Sequence, residues 1–270
     1  MSTPLQQDTA VSVITGGARG IGLGIAQWFL RHGRRVALLD IDAPTLRRTE
    51  RELALPDQVL ALHCDVSDEA GVRAAADAVW QRFGRVDALV NNAGVAVFKP
   101  IGETSFADWR HVLGTNLDGA FLCTQAFAPL MLRGGHGGAV VNIASISAVR
   151  ASTLRVAYVT SKAALVHLTR QQAVELGDQG IRCNVIAPGP VETEMAKLVH
   201  SVAVRSDYHD AIPLGRYGTV EEMAETVGFL CSPAASFING QLLAVDGGFE
   251  AAGVGLPTLR RRRQEPSGPH

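Results

Sequence analysis

An α/β fold, with a parallel sheet covered by helices on both faces, is predicted by three observations. Short β-rich apolar runs alternate with longer segments of helical period. A glycine-rich turn, Thr15-Gly16-Gly17-Ala18-Arg19-Gly20-Ile21-Gly22, follows the first apolar run and opens a helix. Apolar residues make up 47% of a 270-residue chain, enough for one large core.

Strands are expected at residues 10–15, 35–40, 58–64, 88–91, 139–144, 182–187 and 242–245. Together they make a Rossmann-type, doubly wound, seven-stranded parallel sheet. Helices open near Ile21, Ala43, Glu69, Phe106, Tyr158 and Val220. Ser67 and Thr219 precede acidic pairs and are suited to cap two of these helices. A hydroxyl there accepts from an orphan backbone N–H while the acids meet the positive helix end.

Residues 1–253 read as a single dinucleotide-binding and catalytic domain. Within it, residues 193–218 mix Met195, Leu198, Val199 and Val202 with polar residues and read as a lid over the substrate. Residues 254–270, with the run Arg260 to Arg263, read as a flexible tail.

Charged residues make up 19% and the net charge is −1, so no field of one sign attracts nucleic acid or an anionic membrane. A small-molecule partner is expected. The polar opening Met1 to Asp8 lacks the order of a signal peptide, and no apolar run is long enough to cross a bilayer, so a cytoplasmic location is expected. Cys64, Cys123, Cys183 and Cys231 are scattered without ligand spacing; they read as reduced, buried thiols, and no metal site is indicated.

The turn places Gly16, Gly20 and Gly22 as G-x-x-x-G-x-G. Without Cβ atoms the backbone takes unusual dihedrals and approaches a pyrophosphate closely, and the amides of the helix opening at Ile21 face its charge. The second strand ends in Asp40, where a carboxylate accepts from the adenine ribose hydroxyls and repels a 2′-phosphate. NAD(H) is therefore expected over NADP(H), with Arg19 as the opposing signal. Asp65-Val66 closes the third strand, where Asp65 is placed to accept from an adenine amino group. Asn92-Ala93-Gly94 follow the fourth, small enough for the backbone to lie along the adenine and ribose.

Tyr158 and Lys162 are four apart on a helix and share a face. A phenol of pKa about 10 is a poor base near neutral pH, and a neighbouring cation favours its phenolate. A glycine turn followed by this pair predicts a nicotinamide-dependent oxidoreductase.

Taken with Asp65, the Asn-Asn-Ala-Gly run, Asn116, Ser145, the segment Pro188-Gly189-Pro190-Val191-Glu192-Thr193 and Asp246-Gly247-Gly248, the chain resembles the classical short-chain dehydrogenase/reductase family from about Ser12 to Gly248. The resemblance implies a catalytic tetrad of Asn116, Ser145, Tyr158 and Lys162. It implies that Tyr158 is the acid/base, that Ser145 binds the substrate oxygen, that Lys162 binds the nicotinamide ribose and that Asn116 anchors a water. Pro188, Gly189, Val191 and Thr193 would line the nicotinamide, with Thr193 on its carboxamide.

The implied activity is an NAD-dependent alcohol dehydrogenase or carbonyl reductase acting on a secondary alcohol or polyol and its ketone. The implied assembly is a homotetramer. Two alternatives stand beside it: a 3-oxoacyl-[acyl-carrier-protein] reductase using NADPH, against which Asp40 speaks, and a non-catalytic dinucleotide sensor, which would be expected to have lost Tyr158 or Lys162. The expected substrate walls, residues 95–98, 146–156 and 192–214, are mostly apolar, with Arg150, Arg155 and Glu192 as polar handles. The two arginines read more readily as surface residues.

Overall fold

Two strands, β1 (Val11–Thr15) and β2 (Arg35–Asp40), are buried along their whole length. Their neighbours cover both faces, so both faces of each run are apolar. The computed structural model describes residues 9–253 together with 255 and 257. After β1 and before β2 lies α1 (Gly20–Arg31). The chain continues through α2 (Ala43–Leu53), β3 (Val59–His63), α3 (Glu69–Phe83), β4 (Ala88–Asn91), α4 (Phe106–Leu113), α5 (Gly119–Arg133) and β5 (Gly138–Ile143). It ends with α6 (Val156–Leu176), β6 (Ile181–Pro188), α7 (Glu194–Val199), α8 (Val202–Ala211), α9 (Val220–Leu230) and β7 (Leu242–Val245).

The seven strands form one sheet in the order β3-β2-β1-β4-β5-β6-β7, with every pairing parallel. Strand order reverses between β1 and β4, and the connections leaving these two strands part in opposite directions. The crevice at their carboxyl ends is where such sheets bind ligands. Alternation along the strands divides the core in two. Val13, Ala37 and Leu39 join α3 and α5 on one face, whereas Ile14 and Leu38 join α1 and α9 on the other.

The cap expected at Thr219 is present as a full capping box with Glu222. At α3 the cap is Asp68 rather than Ser67, because its carboxylate accepts from the amides of both Ala70 and Gly71. Ser67 turns its hydroxyl to Asp65 instead, donating to Oδ1 at 2.7 Å.

The helix expected from Phe106 does not stop at Leu113. It passes through a π-turn at Gly114–Asp118 into α5, an element that the sequence reading did not place. The segment read as a lid forms two short helices, α7 and α8. Each is capped by its own hydroxyl, Thr193 and Ser201, a local signal for a helix start. Met1 to Asp8 and most of the expected tail, with its four arginines, lie outside the described residues. No described helix is long and apolar enough to cross a membrane.

Candidate active site

At the end of β1 the chain turns through Gly16 and Gly20 at φ +61° and +56° into α1. A Cβ on Gly22 would lie 2.2 Å from the Gly16 carbonyl oxygen, so only glycine lets the first turn of α1, with Ile21, close on the loop. Asn92 fastens this loop from the next strand, donating from Nδ2 to the carbonyls of Thr15 at 2.9 Å and Gly16 at 3.0 Å. In return Thr15 Oγ1 accepts from the amides of Asn92 and Ala93. The carboxyl ends of β1 and β4 are thus locked to each other, which the sequence did not announce.

Asp40 sits at the end of β2, 8% exposed. One carboxylate oxygen accepts from the Ala18 amide at 3.0 Å and the other from the Asp42 amide at 2.9 Å. Each oxygen retains lone-pair capacity for a further donor. Arg19, the opposing signal in the sequence, is exposed and paired with Asp42 at 3.2 Å. Asp42 is a residue that the sequence reading passed over. At the end of β3, Asp65 Oδ1 accepts from the Ser67 amide and hydroxyl, while Val66 is buried against Gly119.

The Tyr158 and Lys162 side chains leave α6 toward the carboxyl edge of β4 and β5. Lys162 is 3% exposed and donates from Nζ to the Ile143 carbonyl at 2.7 Å. Burial pulls its pKa down to about 8. A Cβ on Gly94 would lie 3.3 Å from both Lys162 Nζ and Asn116 Oδ1, so Gly94 is the seam where these two side chains meet. Asn116 sits in the π-turn, a distortion frequently found at functional sites. It accepts from the Val95 amide at 2.8 Å and donates to the Val95 carbonyl and the Ser161 hydroxyl, both at 3.0 Å.

Ser145 follows β5, opens a short 3-10 turn in which its hydroxyl accepts from the Ser147 amide at 3.1 Å, and faces the Tyr158 phenol. Burial raises the pKa of Tyr158, while the Ser145 hydroxyl and the charge of Arg155 act to lower it. The Lys162 ammonium lies 5.9 Å from the Tyr158 ring centroid. All four residues of the expected tetrad therefore lie at one sheet edge.

Beneath them runs a polar layer absent from the sequence reading. Asn91 and Asn142 face each other across the β4–β5 pairing and share a bond of 2.8 Å, and Asn142 donates onward to Thr169 and Gln172.

After β6, Gly189 packs so tightly on Asp246 that a Cβ would meet its Cα at 2.8 Å. Val191 is buried and bridges Gly218, to which Glu192 and Pro190 also bond through the backbone. Thr193 caps α7 and lies across from Gly20, its methyl 4.0 Å from where a Cβ would stand. The crevice is thus walled by the glycine turn on one side and Pro188 to Thr193 on the other. Its glycine cradle, the amides at the start of α1 and the acid ending β2 suit a dinucleotide. Among the described residues no group of three His, Cys, Asp or Glu side chains is arranged to hold a metal ion.

Comparison with known proteins points the same way. The family model described as enoyl-(acyl carrier protein) reductase matches residues 16–250. The D-threitol dehydrogenase of Mycolicibacterium smegmatis is 41% identical over 243 residues, which cover 90% of this chain and 93% of that protein. The 3-ketoacyl-(acyl-carrier-protein) reductase from Brucella melitensis, complexed with NADH, superposes with a TM-score of 0.84 at 33% identity, covering 89% of this chain and 98% of that one. A gluconate 5-dehydrogenase from Burkholderia cenocepacia, in complex with NADP and tartrate, gives 0.85 at 34% identity, covering 91% and 96%.

A doubly wound sheet with a serine, tyrosine and lysine gathered at its carboxyl edge defines an oxidoreductase built on a dinucleotide fold. Nearly the whole chain matches one group of such enzymes. It belongs to the short-chain dehydrogenase/reductase family.

Proposed function

We propose that this protein interconverts a secondary alcohol or polyol and its ketone with NAD(H), using Tyr158 as general acid/base. The observation that carries this reading is the joint placement of Ser145 and Lys162 about Tyr158 at the sheet edge. When bound, the nicotinamide ring supplies the hydride acceptor in oxidation and the donor in reduction. Tyr158 takes the hydroxyl proton in one direction and returns it in the other. Ser145 binds the same substrate oxygen and stabilises the charge that develops on it.

Lys162 uses one of its three donors on Ile143, and the other two are available to the nicotinamide ribose. Asn116, whose side chain is committed to Val95 and Ser161, would anchor the water of the proton route. The glycine turn from Gly16 to Gly22 holds the pyrophosphate; Asp65, Val66, Asn92, Ala93 and Gly94 line the adenine half, and Pro188, Gly189, Val191 and Thr193 the nicotinamide half. The buried charge of Asp40 and the pairing of Arg19 with Asp42 support NAD(H) over NADP(H). The polyol specificity of the D-threitol dehydrogenase supports the substrate class.

Helices α7 and α8 serve as the lid, an assignment supported by the exposed apolar residues Met195, Leu198, Val199 and Val202. Exposed Phe121 on α5 and Val174 on α6 support assembly into a homotetramer, and four buried free thiols support a reducing, cytoplasmic setting. A second reading, the reduction of 3-oxoacyl groups on a carrier protein, is favoured by the likeness to the Brucella reductase.

Absorbance at the reduced-nicotinamide band tests both. NADH-dependent reduction of ketones and diketones, with NAD-dependent oxidation of the matching alcohols, is the expected result. Turnover confined to NADPH and acyl thioesters would favour the second reading.

A further inference from the structure

We propose that Arg155 is a specificity-determining residue, and that it anchors a carboxylate on the substrate beside Tyr158. The preferred substrate would then be a short hydroxy acid and its keto acid. This rests on the reading of Tyr158 as the group that exchanges the substrate proton.

Arg155 stands immediately before α6, three residues ahead of Tyr158, with φ −136°, ψ 40° and no side-chain cap bond. An arginine is ill suited to that position. Helix starts favour short side chains that carry an oxygen, and a cation opposes the positive helix end. No acid in the first turn of α6 compensates. The residue before it, Leu154, is held at φ +63°, a left-handed conformation that side chains with a Cβ seldom adopt. The Leu154 carbonyl accepts from the Lys99 amide at 2.9 Å, and Lys99 bridges Arg155. Backbone strain and a backbone bridge thus fix a cation where local preference argues against one.

The guanidinium is positioned but, among the described residues, has no counter-charge. It lies over the Phe98 ring, 5.5 Å from the centroid, and donates to the Tyr208 hydroxyl of α8 at 3.4 Å, beyond the usual length of such a bond. Among the described residues it has no carboxylate partner. Glu192 on the neighbouring loop is taken by Arg205, and Arg150 donates at 2.6 Å to the Phe249 carbonyl and lies on that ring. Of the three polar handles noted in the sequence, Glu192 is paired with Arg205 and Arg150 is drawn by a short bond to the Phe249 carbonyl, whereas Arg155 makes only the long bond to Tyr208 among the described residues and acts on Tyr158.

That charge reaches the site on two sides. Besides burial and the Ser145 hydroxyl, Arg155 acts on the Tyr158 phenol; and after burial it is the next influence lowering His200 between α7 and α8. A planar guanidinium with free donors between the phenol and the lid matches the two oxygens of a carboxylate. Bound there, the anion would neutralise the cation and leave the other end of a short substrate at Tyr158 and Ser145.

The test compares keto acids with neutral isosteres on the purified full-length protein with NADH: acetoacetate against pentane-2,4-dione, and levulinate against hexane-2,5-dione. The expected result is a kcat/KM at least about tenfold higher for the acids, as befits a charge-assisted pair. Arg155→Gln should collapse that ratio at least about tenfold through KM, Arg155→Lys should restore part of it, and Arg150→Gln should leave it alone.

Neutral diketones used as well as the acids, or a ratio unmoved by Arg155→Gln, would overturn the proposal while leaving the oxidoreductase reading intact. Equal losses for acid and isostere, with the pH profile displaced to higher pH, would overturn it too, because Arg155 would then act only on the phenol. Silence with every carbonyl and both cofactors would defeat the parent reading and this one together.

Discussion

Lys162 donates its buried ammonium proton to the Ile143 carbonyl at 2.7 Å, where β5 ends. The bond fixes Nζ against Gly94 and Asn116, and the same burial lowers the pKa to about 8 from an ordinary 10.5. The cation that the proposed mechanism uses is therefore held at a cost to the fold.

The sign of that cost is testable. Between pH 8 and 10.5 the unfolded chain binds a proton that the folded one has released, so stability rises with pH across this window. Below pH 8 the penalty is complete, up to about 3 kcal/mol. Lys162→Met should remove it, making the apo protein about 1–3 kcal/mol more stable than the parent at pH 7, with a smaller gain at pH 10. Urea denaturation at the two pH values reads the difference, and a gain that does not shrink would contradict a desolvated ammonium.

Tyr158→Phe keeps the ring and removes the proton carrier. Turnover should fall by about 10³, within the range for loss of a general acid/base, while NADH affinity measured by fluorescence stays within a few-fold. Substantial remaining turnover would remove Tyr158 from the proposed role.

Asp40→Asn preserves an oxygen acceptor but abolishes the charge. It should raise the NADPH to NADH preference by about tenfold, equivalent to about 1.4 kcal/mol of relieved repulsion. Asp40→Ala should do the same and also destabilise the fold by about 1–3 kcal/mol, because the amides of Ala18 and Asp42 lose their acceptor. Steady-state kinetics with both cofactors and thermal unfolding separate the two effects.

Gly22→Ala puts a methyl 2.2 Å from the Gly16 carbonyl, backbone against backbone. Opening the turn to admit it should cost about 1–3 kcal/mol and weaken NADH binding at least tenfold. Calorimetric titration with NADH would show it, and undiminished affinity would mean that the turn is not the pyrophosphate cradle.

Much was legible because local chemistry and long-range order agree in this chain. The apolar runs at 35–40 and 88–91 are strands with those limits, since parallel strands buried on both faces have largely apolar sequences, and the run at 242–245 keeps its limits as the half-exposed edge strand. The helix start at Ala43 was readable, and Thr219 is the cap it was taken for. Ser67 was misread because two adjacent oxygen-bearing residues competed for the cap, and the carboxylate of Asp68 reaches two amides at once. The α5 helix was missed because a π-turn shifts the helical phase ahead of it.

The sequence by itself determined the fold class and the family, and named the serine, tyrosine and lysine that the fold gathers at one sheet edge. Those depend on patterns short enough to recognise along the chain: period-two and helical hydrophobicity, a glycine spacing, a tyrosine and a lysine one turn apart. Only the tertiary structure decided which charges are spent and which are free. Arg19 is paired with Asp42 and Glu192 with Arg205, and Arg150 is held by a short bond to the Phe249 carbonyl, whereas Arg155 makes only a long bond to the Tyr208 hydroxyl and has no carboxylate beside it among the described residues. Pairing depends on distance in space, and these partners are separated by 23, 13 and 99 residues of chain. No local pattern encodes such separations.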